Sequence, residues 1–545
     1  MEQPKSGFVR QIRSLPRTFY VANTMEIFER MAWYGMFTPL ALYLTDPRTR
    51  GGLGLTEEDA GTIIGIVTFA LYLMPVITGA LGDRFGYKKM FLLAYAILTP
   101  CYYLLGTFST YGGFLLGFMF VAVGAAIFKP VVVGTVARVT NEQTSQLGFG
   151  VFYMMVNVGG FLGPAISGYL RGPDPVTGVS HWNRLFTCSS IIIAVNFVWG
   201  LLFYKEPTTE AASATKRTVG RVLRDAVEVL GNVRFFICVF GMLIVFFAAG
   251  KGWMAWSFAG LSAAGWLVLN LILDAVFRGS QPPPGTADLR PWWLKPMQVS
   301  NWRFAVYLLI LSGFWTAFNQ MLGGVPLVGF IRDFVQTKPL LDALAMVLGG
   351  LGLSGWSQGI TDYVAAGGQF NPEWISNLDP LFIVICQIAV SLTVAKMGRF
   401  PGMITGIVIA GIGIALPALS GGGSVGVLHA SGWLVVLAVL VFAIGEMMAS
   451  PTSQEYIGSI APKDKVALYM GYYFVAVALG NLFGNVLGGI VYGKLARDLG
   501  RPDLMWMVFA GMAAVTAIAL ALYNRYAVPK PTSLPNTAQT SDSAA

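Results

Sequence analysis

Apolar stretches of about 20 residues recur along the whole chain, and each is long enough for one helix to cross the hydrocarbon core of a bilayer. In lipid, the backbone polar groups of a spanning helix are satisfied within that helix. Six stretches lie near 18–44, 58–81, 89–108, 112–137, 146–170 and 184–204. Two lie near 233–249 and 253–277, and six more lie near 303–331, 376–396, 401–419, 430–456, 466–493 and 504–526. The pattern predicts an all-α polytopic membrane protein of about 14 transmembrane helices.

The composition and the placement of charge agree with this class. Of the 545 residues, 55% are hydrophobic and 12% are charged, unlike an average soluble domain. Lys and Arg concentrate in alternate connections, namely before the first stretch, after the second and after the sixth. By the positive-inside rule these connections face the cytoplasm. We therefore expect the protein to lie in the cell inner (plasma) membrane with both termini on the cytoplasmic side. The net charge of +9 then requires no nucleic acid.

The order of the stretches indicates two equal halves with a substrate site between them at the midplane. The predicted domains are an N-terminal six-helix bundle (1–205), a cytoplasmic linker with two extra transmembrane helices (206–300), a C-terminal six-helix bundle (301–528) and a disordered tail (529–545). Residues 338–368 contain an additional apolar run. We interpret this segment as a packing insertion, with a lid or a re-entrant segment as the alternatives.

Three ionisable residues interrupt the first stretch. Glu26, Glu29 and Arg30 lie at positions i, i+3 and i+4, so they share one face of a helix. A charged face is unfavourable in lipid, so this face should point into the interior of a helix bundle or into a water-filled cavity. Ionisable residues at such places usually mark substrate or proton paths. The alternative is a structural ion pair between Arg30 and one glutamate. Lys129 is a lone ammonium in the fourth stretch, and Glu26 or Glu29 is its obvious partner.

The residues that soluble enzymes use are scarce. Both histidines, His181 and His429, lie in predicted outer loops, and the four cysteines sit singly in apolar runs. No metal cluster or His-based triad can be assembled from them, so we expect no enzyme, no metal and no cofactor. Glycine spacings such as Gly480 with Gly484 lie inside apolar stretches and indicate close helix packing rather than a phosphate cradle.

Several motifs resemble one family. Gly79-Ala-Leu-Gly-Asp83-Arg84-Phe-Gly86-Tyr-Lys88-Lys89 is similar to the loop motif of the major facilitator superfamily, and Glu26-x-x-Glu29-Arg30-x-x-x-Tyr34-Gly35 resembles the first-helix signature of its proton-dependent oligopeptide transporters. Four further matches follow in the family's order: Phe128-Lys129-Pro130, Phe152-Tyr153-x-x-x-Asn157-x-Gly159, Phe314-Trp315-x-x-Phe318-x-Gln320 and Gly445-Glu446-x-x-x-Ser450-Pro451. Pro372-Glu373-Trp374 followed by Leu378-Asp379-Pro380 resembles the family's start of span eight, and a two-helix insertion is typical of bacterial members.

The resemblance implies a major facilitator fold and proton-coupled uptake of di- or tripeptides by alternating access, driven by the proton gradient. It further implies that Glu29 and Arg30, which are linked to the proton, lie next to Lys129, and that protonation of a glutamate releases this lysine. Glu446 is implied to bind the amino terminus of the ligand. The expected partners are a small peptide, protons and the lipid bilayer, and the expected state is a monomer.

The candidate site residues follow from these motifs and from side-chain chemistry. The proton-coupling candidates are Glu26, Glu29, Arg30 and Asp379. The substrate-binding candidates are Tyr34, Phe37, Tyr72, Lys129, Asn157, Trp315, Asn319, Glu446 and Ser450. Asn157 and Tyr34 are expected to hydrogen-bond a peptide amide, and Tyr72 and Trp315 to wall side-chain pockets. Ordinary helix packing is the alternative for these four residues.

The chain departs from the family pattern at three of these positions. The family's second arginine, which clamps the peptide carboxylate, is replaced by Phe37, and its acidic residue in span seven is replaced by Asn319. These two charges usually attract each other, and losing both avoids stranding one buried charge. In span eight the usual Asn is Asp379, which we expect to carry a proton beside a helix break at Pro380, or alternatively to act as an N-cap.

Two other functions stay open at this stage. Phe37 removes half of the carboxylate clamp while Lys129 remains, so the chain is alternatively an importer of another small amphipathic or anionic solute. The second alternative is a membrane receptor or scaffold that does not transport.

Overall fold

The fold is known from a computed structural model, which describes most of residues 13–528. The residues it does not describe within that range are 76–77, 79–80, 83–84, 141–143, 173, 175–176, 178, 208–230, 251–252, 279–290, 292–294, 299–300, 421–429 and 462–465. Several sequence predictions therefore lie partly or wholly outside the described residues: positions 79, 80, 83 and 84 of the loop motif, most of the linker between 208 and 230, His429 and the tail after 528.

The first half of the chain forms α1 (Arg17–Phe37), α2 (Leu40–Thr45), α3 (Glu57–Leu73), α4 (Tyr87–Leu105), α5 (Tyr111–Val139), α6 (Ser145–Arg171) and α7 (Trp182–Phe203), with one 3₁₀ turn at Arg48–Arg50. The first predicted span is broken between α1 and α2 at Pro39, which has no N–H to donate and whose ring clashes with a preceding carbonyl. The side chain of Thr56 caps α3 by accepting a hydrogen bond from the N–H of Asp59 at 3.1 Å.

The inserted pair is α8 (Val233–Gly250) and α9 (Trp256–Arg278). The second half forms α10 (Trp302–Phe318), α11 (Val325–Phe334), α12 (Lys338–Gly350), α13 (Ser354–Ala365), α14 (Pro372–Ser376), α15 (Leu378–Met397), α16 (Arg399–Ala415), α17 (Gly432–Ile460), α18 (Val466–Val491) and α19 (Pro502–Tyr526), with a 3₁₀ turn at Leu416–Ser420 and a π-helical turn at Tyr492–Asp498. Two short parallel strands, β1 (Val335–Gln336) and β2 (Ala430–Ser431), pair Val335 with Ala430 and Gln336 with Ser431.

The all-α polytopic class predicted from the sequence is confirmed. Eight helices among the described residues are long and apolar enough to cross a membrane. Many observed bounds lie close to predicted ones, as for α5, which spans Tyr111–Val139 against a predicted 112–137. The predicted span at 303–331 is wrong as a single helix, because α10 ends at Phe318 and α11 begins only at Val325. The exact division into domains stays a prediction.

Residues 338–368 form the hairpin of α12 and α13, which pack against each other. Leu340, Leu341 and Ala345 of α12 are buried, and α12 also contacts α17. Most of α13 is exposed, including Trp356. This arrangement favours the packing insertion over a re-entrant segment, because a re-entrant segment at membrane depth has to be covered by protein.

Helices of the two halves meet along two lines, where α3 packs on α18 and α6 packs on α15. Small residues permit the closest approaches within each half. A Cβ atom on Gly159 of α6 would lie 2.7 Å from the Cβ of Arg30 on α1, and a Cβ on Gly445 of α17 would lie 2.4 Å from the backbone oxygen of Gly406 on α16. These contacts fix the helices that carry Arg30 and Glu446. Gly480 lies against Trp315 in the same way, which confirms the packing interpretation of that motif.

Candidate functional site

The charged cluster of α1, which consists of Glu26, Glu29 and Arg30, is buried inside the protein. Nη2 of Arg30 lies 2.5 Å from Oε2 of Glu29, and its Nε lies 3.4 Å from Oε1 of Glu26. The predicted shared face is thus confirmed, and the ion pair named as the alternative forms with both glutamates. One oxygen of each glutamate, Oε2 of Glu26 and Oε1 of Glu29, is buried without a hydrogen-bond partner. Each such oxygen is a position that a proton can occupy.

Lys129 lies in the middle part of α5 and meets aromatic rings from both halves. Its Nζ is 4.9 Å from the centroid of the Tyr72 ring on α3 and 5.9 Å from that of Phe474 on α18. The expected direct pair with Glu26 or Glu29 is wrong for this conformation, because Arg30 on their own helix holds both carboxylates. The charge of Lys129 still acts on Glu26 at longer range. Phe474 was missed by the sequence reasoning, since the glycine spacing identified in α18 indicated helix packing and no binding residue.

Two carboxylates face the interior from the second half. Glu446 lies 14 residues after the start of α17, or about 21 Å along the helix at 1.5 Å per residue. Asp379 lies at comparable depth, because its neighbour Asn377 donates from Nδ2 to the carbonyl oxygen of Phe161, within α6, at 2.8 Å. Helices α15 and α17 pack together, and the two carboxyl groups interact electrostatically. We call Asp379 and Glu446 the acidic pair.

The acidic pair has no cationic partner in the part of the chain that the structure describes. Oδ1 of Asp379 and Oε2 of Glu446 are both buried without a hydrogen-bond partner. Asp379 is 6% exposed, whereas Glu446 is partly exposed and so borders an accessible space. The sequence named these residues as separate candidates, and their proximity was missed because it depends on how two helices pack.

Both sequence interpretations of the backbone at Asp379 are wrong. Helix α15 begins at Leu378 after the flanking residue Asn377, so Asp379 is inside the first turn and is not the N-cap. Pro380 does not break the helix, because a proline in the first turn loses no intrahelical hydrogen bond. The break in the helix lies before Asp379, at Asn377, which separates α14 from α15. Asp379 therefore sits at the positive end of the α15 dipole, which favours a negative charge there.

Side chains around these charges line a common interior. The predicted substrate-binding residues that are partly exposed are Tyr34, Phe37, Tyr72, Lys129, Asn157, Trp315, Glu446 and Ser450. Glu446 lies close enough to Tyr34 and Tyr153 to act on them electrostatically, so residues of both halves meet at this level. Nδ2 of Asn157 donates a hydrogen bond to the carbonyl oxygen of Tyr153 at 2.9 Å. Trp315 keeps a buried Nε1 without a partner.

The two positions that lost a family charge are occupied by packed side chains. Phe37 stacks on Trp33 of the same helix, with ring centroids 5.1 Å apart and planes 17° from parallel. Asn319 is 8% exposed and lies against Gly484 of α18. A Cβ atom on Gly484 would lie 3.1 Å from the Cβ of Asn319. No described contact joins Phe37 to Asn319. Phe37 therefore offers no positive charge where the family pattern has an arginine.

Three ion pairs that the sequence did not predict join the two halves. They lie at the outer ends of the helices, which are the ends expected to face away from the cytoplasm. The pairs are Arg171 with Glu373, Asp46 with Arg332, and Glu57 with Arg497. We call them the outer ion pairs. The ion pairs that join the halves within the described ranges all lie at this side, so the outer ends are closed.

The pair of Arg171 and Glu373 is the most buried of the three. Nε and Nη2 of Arg171 donate to the two oxygens of Glu373 at 2.8 and 3.0 Å. Arg171 also donates to Asn371 and Ser180, each at 3.2 Å. By contrast, Asp46 gains less from its 2.8 Å contact with Arg332, because burial raises the pKa of Asp46 even though Arg332 acts to lower it. Separating Arg171 from Glu373 while both stay buried would therefore strand the most deeply buried charges of the three outer ion pairs.

Known proteins resemble the chain over nearly its whole length. The model of the Major Facilitator Superfamily matches residues 24–255 and 361–543. Peptide transporter YePEPT of Yersinia enterocolitica is 25% identical over 92% of each chain. Dipeptide and tripeptide permease A of Chromobacterium violaceum is 23% identical over 92% of this chain and 91% of that protein.

The solved structure of a POT family transporter in complex with 5-aminolevulinic acid shares the fold. Its TM-score is 0.63 at 20% identity, with 96% of this chain and 98% of that chain covered. Together with the family model, this confirms the fold that the motifs implied. The chain therefore belongs to the Major Facilitator Superfamily, and its resemblance to the proton-dependent oligopeptide transporters of that superfamily is confirmed.

Proposed function

We propose that this protein imports di- and tripeptides together with protons by alternating access. The observation that carries the proposal is the opposition of charge across the interior. Lys129 lies on the first half, and the acidic pair of Asp379 and Glu446 lies on the second. A short peptide has one charge of each sign, so electrostatic complementarity orients it between the halves. The peptide-transporter names of the relatives support the same assignment.

Proton coupling is assigned to the charged cluster of α1. Arg30 is held by two carboxylates, each of which keeps one oxygen without a partner. A proton at Glu29 removes one of the charges that attract Arg30 and changes the field at Lys129. Lys129, which pairs with neither glutamate in this structure, is then attracted less by the cluster and binds the peptide carboxylate. Asp379 is the second proton carrier, because its carboxylate is buried without a partner.

Alternating access assigns a role to the outer ion pairs. They close the outer ends in this structure, so peptide can reach the site from outside only after they separate. Their reformation behind the bound peptide then directs release to the cytoplasm. In this proposal the protein is a monomer in the inner membrane with both termini in the cytoplasm. It uses the proton gradient and no cofactor, and it catalyses no chemical reaction.

Uptake by reconstituted protein tests the proposal. Purified protein in liposomes should accumulate labelled Ala-Ala when the outside is acidic, and a protonophore should abolish accumulation. The Lys129→Ala protein should not accumulate peptide, whereas Asp362→Asn, which changes an exposed carboxylate on α13, should behave as the unchanged protein. Binding without flux would instead identify a receptor.

A second candidate is an importer of another small amphipathic solute. The specific observation in its favour is that Phe37 is stacked on Trp33, so the carboxylate clamp typical of the family is replaced by packed rings. A solute with an amine and a weaker anionic group needs Lys129 alone on the anionic side. Accumulation of such a solute in the same liposomes, with no accumulation of any di- or tripeptide, would favour this candidate.

A further inference from the structure

The acidic pair leaves one negative charge that a simple peptide does not balance. Asp379 and Glu446 each have a buried oxygen without a partner, and no Lys or Arg within the described ranges forms an ion pair with either. A peptide with uncharged side chains offers a single ammonium, its amino terminus. When that ammonium binds Glu446, Asp379 still needs either a proton or a second positive group.

Leaving Asp379 charged and unbalanced is unfavourable. Two carboxyl groups that share a buried site do not both ionise without compensation, because like charges repel in a medium of low dielectric constant. The α15 dipole offsets only part of this cost, because a helix terminus supplies about half an elementary charge. The dipole alone is therefore too weak, and a counter-charge has to arrive with the substrate.

We propose that a basic side chain of the substrate replaces one co-transported proton at the acidic pair. This inference rests on the proposed function, since it assumes that peptides bind with their amino terminus at Glu446. A peptide such as Lys-Ala brings two ammonium groups, and the four-carbon stem of lysine is flexible enough to reach the neighbouring carboxylate. For Ala-Ala a proton occupies Asp379, and for Lys-Ala the lysine side chain does.

The proposal fixes both the proton count and the charge count of each cycle. Ala-Ala carries no net charge and moves with one proton more than Lys-Ala does. Lys-Ala carries one net positive charge and moves with one proton fewer. The total charge per cycle is therefore equal for the two peptides, whereas the number of protons differs by one. A mechanism in which the lysine side chain avoids the acidic pair gives equal proton counts and unequal charge.

Liposomes that contain a pH-sensitive dye measure protons per peptide, and the reversal potential under a potassium-clamped voltage gives charge per peptide. For the unchanged protein we expect one proton more with Ala-Ala than with Lys-Ala, and the same charge with both. We also expect Lys-Ala to bind about tenfold more tightly, as one additional charge-assisted hydrogen bond provides.

Variants at Asp379 complete the test. Asp379→Asn should give equal proton counts for the two peptides and remove the tenfold preference, whereas Asp379→Glu should retain the difference. Asp362→Asn on the exposed face of α13 is the matched control and should retain it too. Should Asp379→Asn fail to fold, the wild-type comparison of proton counts still decides.

The outcomes separate this inference from the function on which it rests. If the unchanged protein moves neither peptide, the proposed function fails. If it moves both with the same number of protons, the function stands and the inference is overturned. A proton difference that persists in folded Asp379→Asn would also overturn it, because the counter-charge would then lie elsewhere.

Discussion

Neutralising Glu373 should release the outer ends of the two halves from each other. Glu373 is fully buried and Arg171 is 5% exposed, and two short hydrogen bonds join them across the interface between α6 and α14. Glu373→Gln leaves the guanidinium of Arg171 buried without its counter-charge whenever the outer ends are closed. In an outward-open state the same guanidinium is hydrated, so the substitution destabilises the closed state alone.

The size of the shift follows from the contacts that remain. Removing one partner of a buried ion pair costs about 3–5 kcal/mol. Asn371 and Ser180 still accept hydrogen bonds from Arg171, so we take the lower end of this range. A change of about 3 kcal/mol moves the equilibrium between closed and open outer ends about 100-fold toward open. Replacing both partners, as in Arg171→Met/Glu373→Leu, should shift it less, because no buried charge is stranded.

Distances between spin labels measure this equilibrium. Gly112 on α5 and Gly355 on α13 suit the labels, because both are exposed and a Cβ at either position meets no atom within 4 Å. With the four native cysteines replaced, Glu373→Gln should lengthen the distance between the labels. Glu455→Gln, which removes an exposed pair with Arg399 inside one half, should not. An unchanged distance in folded Glu373→Gln would refute the assignment of this pair as a lock.

Three further predictions concern the interior charges. Glu29→Gln should abolish accumulation driven by a proton gradient yet leave counterflow exchange, because exchange needs the binding site without a net proton cycle; retained accumulation would make Glu29 structural. Lys129→Ala should weaken the binding of zwitterionic peptides at least about tenfold in calorimetry, since a charge-assisted contact is lost, and unchanged affinity would contradict this. Glu446→Gln should weaken peptides with a free amino terminus more than N-acylated analogues, and equal losses would exclude an amine site.

The sequence predicted the fold well because helix length in a membrane is set by bilayer thickness. Apolar runs of about 20 residues are visible without any knowledge of their neighbours. The shared face of Glu26, Glu29 and Arg30 was predictable for a similar reason, since it depends only on the helical repeat. Both features are local, and the structure places both as expected.

Features that depend on packing were not predictable in this way. Arg171 and Glu373 are 202 residues apart, and Arg332 and Asp46 are 286 apart, so no spacing in the chain signals either pair. The partner of Lys129 was mispredicted because its charge alone suggested a carboxylate. In the structure both glutamates of α1 form ion pairs with Arg30 on the same helix. The break at Pro380 was mispredicted because the effect of a proline depends on its position in the helix.

The departures from the family pattern are best understood together through their charge. Replacing the usual arginine by Phe37 removes one positive charge, and Asn319 removes one negative charge, so these two changes cancel. Asp379 in place of asparagine then adds a negative charge that nothing else cancels. The structure places this charge beside Glu446 and away from the cluster that holds Arg30. In the proposed function, Phe37 and Asn319 therefore alter how the peptide carboxylate is held, whereas Asp379 alters what must accompany the peptide. The proton count of the cycle measures that difference.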